Sequence, residues 1–177
     1  LMYGDEIGIG EDLSQKGRFA VRAPMQWSGK RNAGFSTARE NKLVQKPINK
    51  GKFAAAKVNV EDQLADDGSF LRWMQKLSAV RKDVPEVGWG TWHILDVPHK
   101  ATFVHVCEWR GRLVLLVHNL GRRPGKLKLD LKNNRAGELE PLFGNITAEN
   151  KGECAYELTM PKYGYGWWRI KPVYSTT

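Results

Sequence analysis

The sequence predicts a mainly β protein, with an antiparallel β-sandwich in its C-terminal half reached through a long loop and one helix. Three observations lead there. Between about Trp89 and Pro172, seven short β-rich runs are separated by turn residues, the pattern of a two-sheet antiparallel fold. Phe70, Trp73, Met74, Leu77 and Val80 recur at spacings of three and four, which is one face of a helix. From Leu1 to about Val60 there is one short strand signal, at Leu1 to Tyr3, and no sustained period after it.

In chain order, the first segment is interrupted by glycines at 4, 8, 10, 17, 29 and 34 and prolines at 24 and 47. Structureless connections longer than about 12–15 residues are uncommon in compact domains. Met25, Trp27 and Phe35 supply anchors, so the segment is expected to be a long ordered loop. The helix has Asp67 or Ser69 available as its N-cap. Lys76, Arg81 and Lys82 populate its later turns, where the helix dipole favours cations, and Pro85 stops it. Its apolar residues are expected to form one buried face. Strands follow at 92–97, 102–109, 113–119, 126–131, 137–142, 154–160 and 166–171, with Arg110-Gly111 as a hairpin turn. In Lys126-Leu-Lys-Leu-Asp-Leu131 the leucines fall on one face and the charges on the other, as a half-solvated sheet requires. The domain boundary falls near residue 88, dividing the chain into 1–88 and 89–177.

Composition narrows the function classes. The chain has 177 residues, 41% hydrophobic and 27% charged, enough for a sizeable core. Its longest apolar run, Leu113-Val-Leu-Leu-Val117, has the length of a strand, far short of the roughly 20 residues that span a bilayer. With no signal-like segment, a cytoplasmic protein without a membrane partner is expected. Cys107 and Cys154 form no CxxC pair and read as reduced thiols. Asn145-Ile-Thr147 fits a glycosylation acceptor, a short motif that means little without a secretory signal. His105 and Cys107 share a strand face but lack metal-ligand spacing; no metal and no cofactor is expected. The formal charge of +9 favours anionic partners. Nucleic acid is not the expected one, because no RNP-type aromatic motif, zinc-finger spacing or helix-turn-helix pattern is present.

Residues Tyr3 to Ala38, YGDEIGIGEDLSQKGRFAVRAPMQWSGKRNAGFSTA, carry a likeness to a family. They resemble the segment after the last barrel strand in the α-amylase superfamily, above all in trehalose synthases and related α-glucosidases and sucrose isomerases. There a YG(D/E)EIGM-like strand end precedes an RTPMQW box and an N-(A/G)-GF sequence. This chain has Arg22-Ala-Pro-Met-Gln-Trp27 and Asn32-Ala-Gly-Phe35, departing at Ala23 and Ile9. Residues 58–90 resemble the final barrel helix and its passage into the C-terminal domain, and LVLLVHNL and YGYGWWRI resemble strands of that domain. The resemblance therefore implies the last strand, a long loop and the final helix of a (β/α)8 barrel, followed by the C-terminal β-sandwich.

It also implies a chemistry. The family acts on α-glucosidic bonds with retention, which needs two carboxyl groups about 5–5.5 Å apart. In the family these acids, and a third carboxylate, precede the part corresponding to Leu1, and no GxRxDA-like or NHD-like motif is found here. No catalytic residue is therefore assigned, although Asp5 or Glu6 with Glu11 remains geometrically open. Active sites of such barrels lie at the C-terminal ends of the strands, so the resemblance puts Glu6, Arg22, Gln26 and Trp27 at a substrate rim. Arg22 offers bidentate hydrogen bonds, Gln26 an amide for hydroxyls, Trp27 a stacking face and Glu6 an acceptor. The implied partners are a small α-glucoside such as maltose or trehalose, acted on by the parent enzyme, and either a second copy or the missing barrel portion. The alternative is a non-catalytic β-sandwich module that binds oligosaccharide or a partner protein, with Tyr163, Tyr165, Trp167 and Trp168 as an aromatic platform.

Overall fold

A computed structural model describes residues 2–132, 137–152 and 154–172. The backbone divides into two compact units, Leu1–Ser78 and Ala79–Thr177.

The first unit is a loop scaffold closed by helices. It holds short 3-10 turns at Asp5–Ile7, Gly17–Val21, Arg31–Gly34 and Glu40–Lys42, then helix α1 (Val60–Ala65) and the start of α2 (Phe70–Asp83). The strand expected at the start does not form at Met2 and Tyr3. A strand is held by a ladder, and no sheet among the described residues includes these positions. Instead the Met2 backbone N–H donates to the Asp5 carboxylate at 2.7 Å, and the chain turns at once into the first 3-10 turn. Ile7, Met25 and Leu71 form the apolar centre of the unit, with Ile9, Val58 and Val60 packed against it. Gln63 ties three segments together: its Nε2 donates to the Ile7 carbonyl at 2.8 Å and its Oε1 accepts from the Leu71 N–H at 2.9 Å.

Of the two candidate caps of α2, Ser69 is the one used. Its hydroxyl accepts from the Arg72 N–H at 3.2 Å, the third residue of the helix. The apolar stripe of α2 is not the buried face that its period leads one to expect. Phe70 is 47% exposed, and Trp73, Met74, Leu77 and Val80 are half-buried. Leu71, which lies off the stripe, is the residue that enters the core. Phe70 and Trp73 stack on each other at 5.6 Å, so the stripe covers part of its own surface.

The second unit is built on two antiparallel sheets. Strands β1 (Thr91–Ile94), β2 (Thr102–Trp109), β3 (Arg112–Asn119), β4 (Gly125–Asp130), β5 (Gly137–Gly144), β6 (Thr147–Asn150), β7 (Ala155–Met160) and β8 (Tyr165–Pro172) follow α3 (Glu86–Trp89). The large sheet has the order β1-β2-β3-β8-β5 and the small one β4-β7-β6. Arg110 and Gly111 sit in left-handed conformations, φ 50° and 74°, the pair of angles that a two-residue hairpin turn requires. Side chains from both sheets share one core: Val104, Val106, Leu115, Val117 and Trp168 from the large sheet meet Leu127, Leu129, Leu158 and Met160 from the small one. The alternation read in residues 126–131 is what puts the leucines there.

The other face of the large sheet is also largely covered, since Val114 and Leu116 are buried as fully as their neighbours. Helix α3 rests on β2 and β3 there. Glu86, on α3, is wholly enclosed, and Arg169 of β8 approaches its Oε1 to 3.6 Å. Cys107 and Cys154 are both free thiols. Cys107 is buried, and that burial pushes its ionisation up; Glu86 adds to the push and Arg81 opposes it.

Farther along the same face, the rings of His105 and His118 lie 6.0 Å apart beside Phe103. Burial lowers the pKa of both imidazoles, and in His105 the neighbouring His118 lowers it further. A histidine whose folded pKa is depressed stabilises the fold above its unfolded pKa of about 6.5, and that contribution is lost as pH falls through the folded value. Urea stability of the chain is therefore expected to decline as pH drops below about 6.5. A His105→Phe/His118→Phe variant should flatten that slope; an unchanged slope would remove these rings as its source.

Candidate functional site

The candidate rim residues, 4–10 and 22–27, belong to the first unit, and the four expected ones have different fates. Glu6 is half-buried and its Oε2 accepts from the Gly4 N–H at 3.0 Å, so its carboxylate closes its own turn. Arg22 is exposed. Gln26 has no exposed surface; its Nε2 donates to the Phe53 carbonyl at 3.1 Å and the Val58 carbonyl at 2.5 Å. Trp27 is 47% exposed. Arg22 and Trp27 thus face outward, whereas Gln26 works inward.

The local sequence explains this division. Residues 25–28 place Met25, Gln26 and Ser28 inside and Trp27 outside. The Gln26 carbonyl accepts from the Val60 N–H and the Trp27 carbonyl from the Glu61 N–H, each at 2.9 Å. Asn59 adds a third bond, its Oδ1 accepting from the Asp62 N–H at 2.9 Å. Three of the four N–H groups that a helix start leaves unsatisfied are therefore supplied at α1. The Pro-Met-Gln-Trp stretch is bolted to that helix through backbone, and Trp27 is held out from a fixed base. Asn59 and Gln63 were missed in the sequence because each resembles an ordinary polar residue near a helix. Asn59, immediately before an acidic first turn, did carry a capping signal.

Beyond Trp27 the chain makes a tight turn. Asn32, Ala33 and Gly34 all adopt left-handed angles, φ 54°, 53° and 73°. The buried Asn32 amide donates to the Ser36 and Ala38 carbonyls at 2.9 Å each, and the Ala33 carbonyl accepts from both Trp27 and Ser28 N–H groups. At Gly34 the left-handed angle favours glycine, and a Cβ there would stand 2.7 Å from the Ser28 hydroxyl, which would have to move aside.

Three of the four acids of residues 5–12, Asp5, Glu6 and Asp12, are engaged locally. Asp5 accepts from Met2, and Asp12 accepts from the Ser14 N–H at 3.1 Å, the Ser14 hydroxyl at 2.6 Å and the Gln15 amide at 3.2 Å. Those hydrogen bonds, led by the one from the Ser14 hydroxyl, hold the Asp12 carboxyl below the usual range. A general acid in glycoside cleavage needs the opposite shift. In the second unit, Trp167 and Trp168 are both buried, and Trp168 lies in the core between the sheets, so the expected aromatic platform has no open face at these two residues. Among the described residues no group of three or more His, Cys, Asp or Glu side chains is placed to hold a metal ion. No helix among them is long and apolar enough to cross a membrane.

A family model for the α-amylase catalytic domain matches residues 3–90. The chain is 34% identical over 174 residues to a trehalose synthase of a Pimelobacter species, covering 96% of this chain and 30% of that protein. It is also 34% identical over 173 residues to a trehalose synthase/amylase of Mycobacterium tuberculosis, covering 96% and 29%. Among solved structures it is similar to an α-amylase from H. orenii, with a TM-score of 0.67 at 20% identity, over 96% of this chain and 31% of that one. The chain thus spans less than a third of the length of these relatives.

Proposed function

Since the chain belongs to the α-amylase superfamily and corresponds to the C-terminal part of trehalose-synthase-like members, we propose that it serves the metabolism of small α-glucosides by completing a barrel and its substrate rim. The carboxylates that break or rearrange the glucosidic bond come, in this reading, from barrel strands outside the matched region. The observation that carries the reading is the division of labour in residues 22–27. Arg22 and Trp27 are presented to solvent, and the buried Gln26, bonded to two carbonyls, fixes their base. An exposed guanidinium and an exposed indole are suited to sugar hydroxyls and to a sugar face. Gln26 and Glu6 act as organisers of the rim, with no direct sugar contact assigned to either.

The local engagement of the nearby acids supports a non-catalytic role. Asp5, Glu6 and Asp12 are bound to backbone or side-chain donors within three residues, and the lowered pKa of Asp12, set by the Ser14 and Gln15 hydrogen bonds, runs against proton donation. The purified chain is expected to release no glucose from maltose, trehalose or sucrose and to isomerise none of them, measured by chromatography of the sugars. Turnover that disappears in Glu6→Gln or Glu11→Gln would overturn this reading.

A further inference from the structure

Next to the rim, a cleft of about 580 Å³ opens on the left-handed turn, lined by Lys30, Arg31, Gly34, Phe35, Ser36 and Thr37. Its charge is one-sided. Lysine and arginine only donate hydrogen bonds. The Ser36 hydroxyl oxygen accepts from the Ala38 N–H at 3.1 Å and keeps its O–H and a second lone pair for a ligand. The Thr37 hydroxyl can give or take a hydrogen bond, and no carboxylate or carboxamide lines the cleft. A neutral sugar offers hydroxyls that both give and take. Two cations with no carboxylate among the lining residues instead favour an anion, and for a guanidinium beside hydroxyls a phosphoryl group fits best.

The arrangement is organised in advance. Arg31 is tethered by one arm, its Nη2 donating to the Ala38 carbonyl at 3.0 Å, and a guanidinium carries five N–H donors in all. Lys30 pairs with Glu61 at 2.9 Å, but both partners are largely exposed, at 76% and 53%. Such a surface pair is weak and gives way readily to a better anion. Asn32 and Ala33 hold left-handed angles that residues with a Cβ adopt at a cost. The buried Asn32 amide and the twice-used Ala33 carbonyl hold that turn in place, and it is what sets Arg31 and Ser36 around one opening.

We propose that the turn of residues 30–37 is a binding site for the phosphoryl group of a sugar phosphate, with Arg31 as its anchor and Phe35 against the sugar ring. The sugar part rests on the rim reading; the phosphoryl part stands without it. The test is calorimetric titration of the whole chain with glucose 6-phosphate, inorganic phosphate and glucose at constant ionic strength. Glucose 6-phosphate is expected to saturate one site and to bind at least tenfold more weakly to Arg31→Ala. Thr37→Val, an exposed position that leaves the turn intact, should weaken it about threefold, as expected for one lost hydrogen bond. Arg112→Ala, a cation on the second unit, should leave it unchanged. Glucose should show no saturable heat, and inorganic phosphate should bind the same site several-fold more weakly.

Equal affinity for glucose, undiminished binding in both Arg31→Ala and Thr37→Val, or an equal loss in Arg112→Ala would overturn the site. Equal affinity for inorganic phosphate would overturn its assignment to a sugar phosphate. No turnover enters these measurements, so their failure leaves the rim reading standing. Unaided turnover by the chain would defeat the rim reading without touching this titration.

Discussion

Replacing Arg169 by leucine is expected to destabilise the chain by about 3–5 kcal/mol, read as a shift in urea stability, because it strands a buried charge. Glu86 is wholly enclosed and neither of its carboxylate oxygens takes a hydrogen bond from the described residues. Arg169, at 3.6 Å, is the cation paired with it. Removing one partner of such a pair costs more than removing both, since an apolar pair of similar volume avoids desolvating either charge. The double variant Glu86→Leu/Arg169→Leu should therefore recover most of the loss, and Glu86→Leu alone should lie between the two. A loss under about 1 kcal/mol in Arg169→Leu, the size of an exposed pair, would show that the pair behaves as a surface interaction.

Trp168→Ala is expected to cost a similar about 3–5 kcal/mol, by a different route. The indole is 4% exposed and belongs to the core shared by the two sheets. It lies so close over Gly166 that a Cβ there would meet the ring at 2.1 Å. Its neighbours in the sheet, Leu115 on β3 and Pro141 on β5, are fixed by backbone pairing, so the space left by truncation closes only in part. Trp168→Phe should retain most of the stability. If Trp168→Ala unfolded with the same urea midpoint as the parent chain, the indole would have no part in the core.

The elements that sequence made legible are those whose pattern is repeated. The leucines of residues 126–131 alternate, and they enter the core between the sheets. Arg110-Gly111 lies between two β-rich runs and makes the hairpin. Strand β6 escaped notice because Thr-Ala-Glu-Asn is short and polar; it exists as an edge because β7 supplies its ladder from Thr147 to Asn150. Helix α2 was legible in extent but not in facing, since its three-and-four period marks an apolar stripe without saying what covers it. Residues 22–27 were legible as a motif but not in their inner workings. Gln26 offers sequence the same amide whether it faces a sugar or two carbonyls, and only the path of residues 53–60 beside it decides between them. The turn at 32–34 could not be read either, because Ala33 is a residue type that rarely adopts such angles.

The enclosed thiol of Cys107 makes the second unit its own stopwatch. Attack on an alkylating reagent needs the thiolate, and burial both disfavours that form and bars the reagent. Labelling at this sulfur must therefore wait for the sheet to part from what covers it, while half-buried Cys154 supplies an internal reference within the same chain. The ratio of the two labelling rates converts each moment of opening into a mass shift, without a probe having to be added.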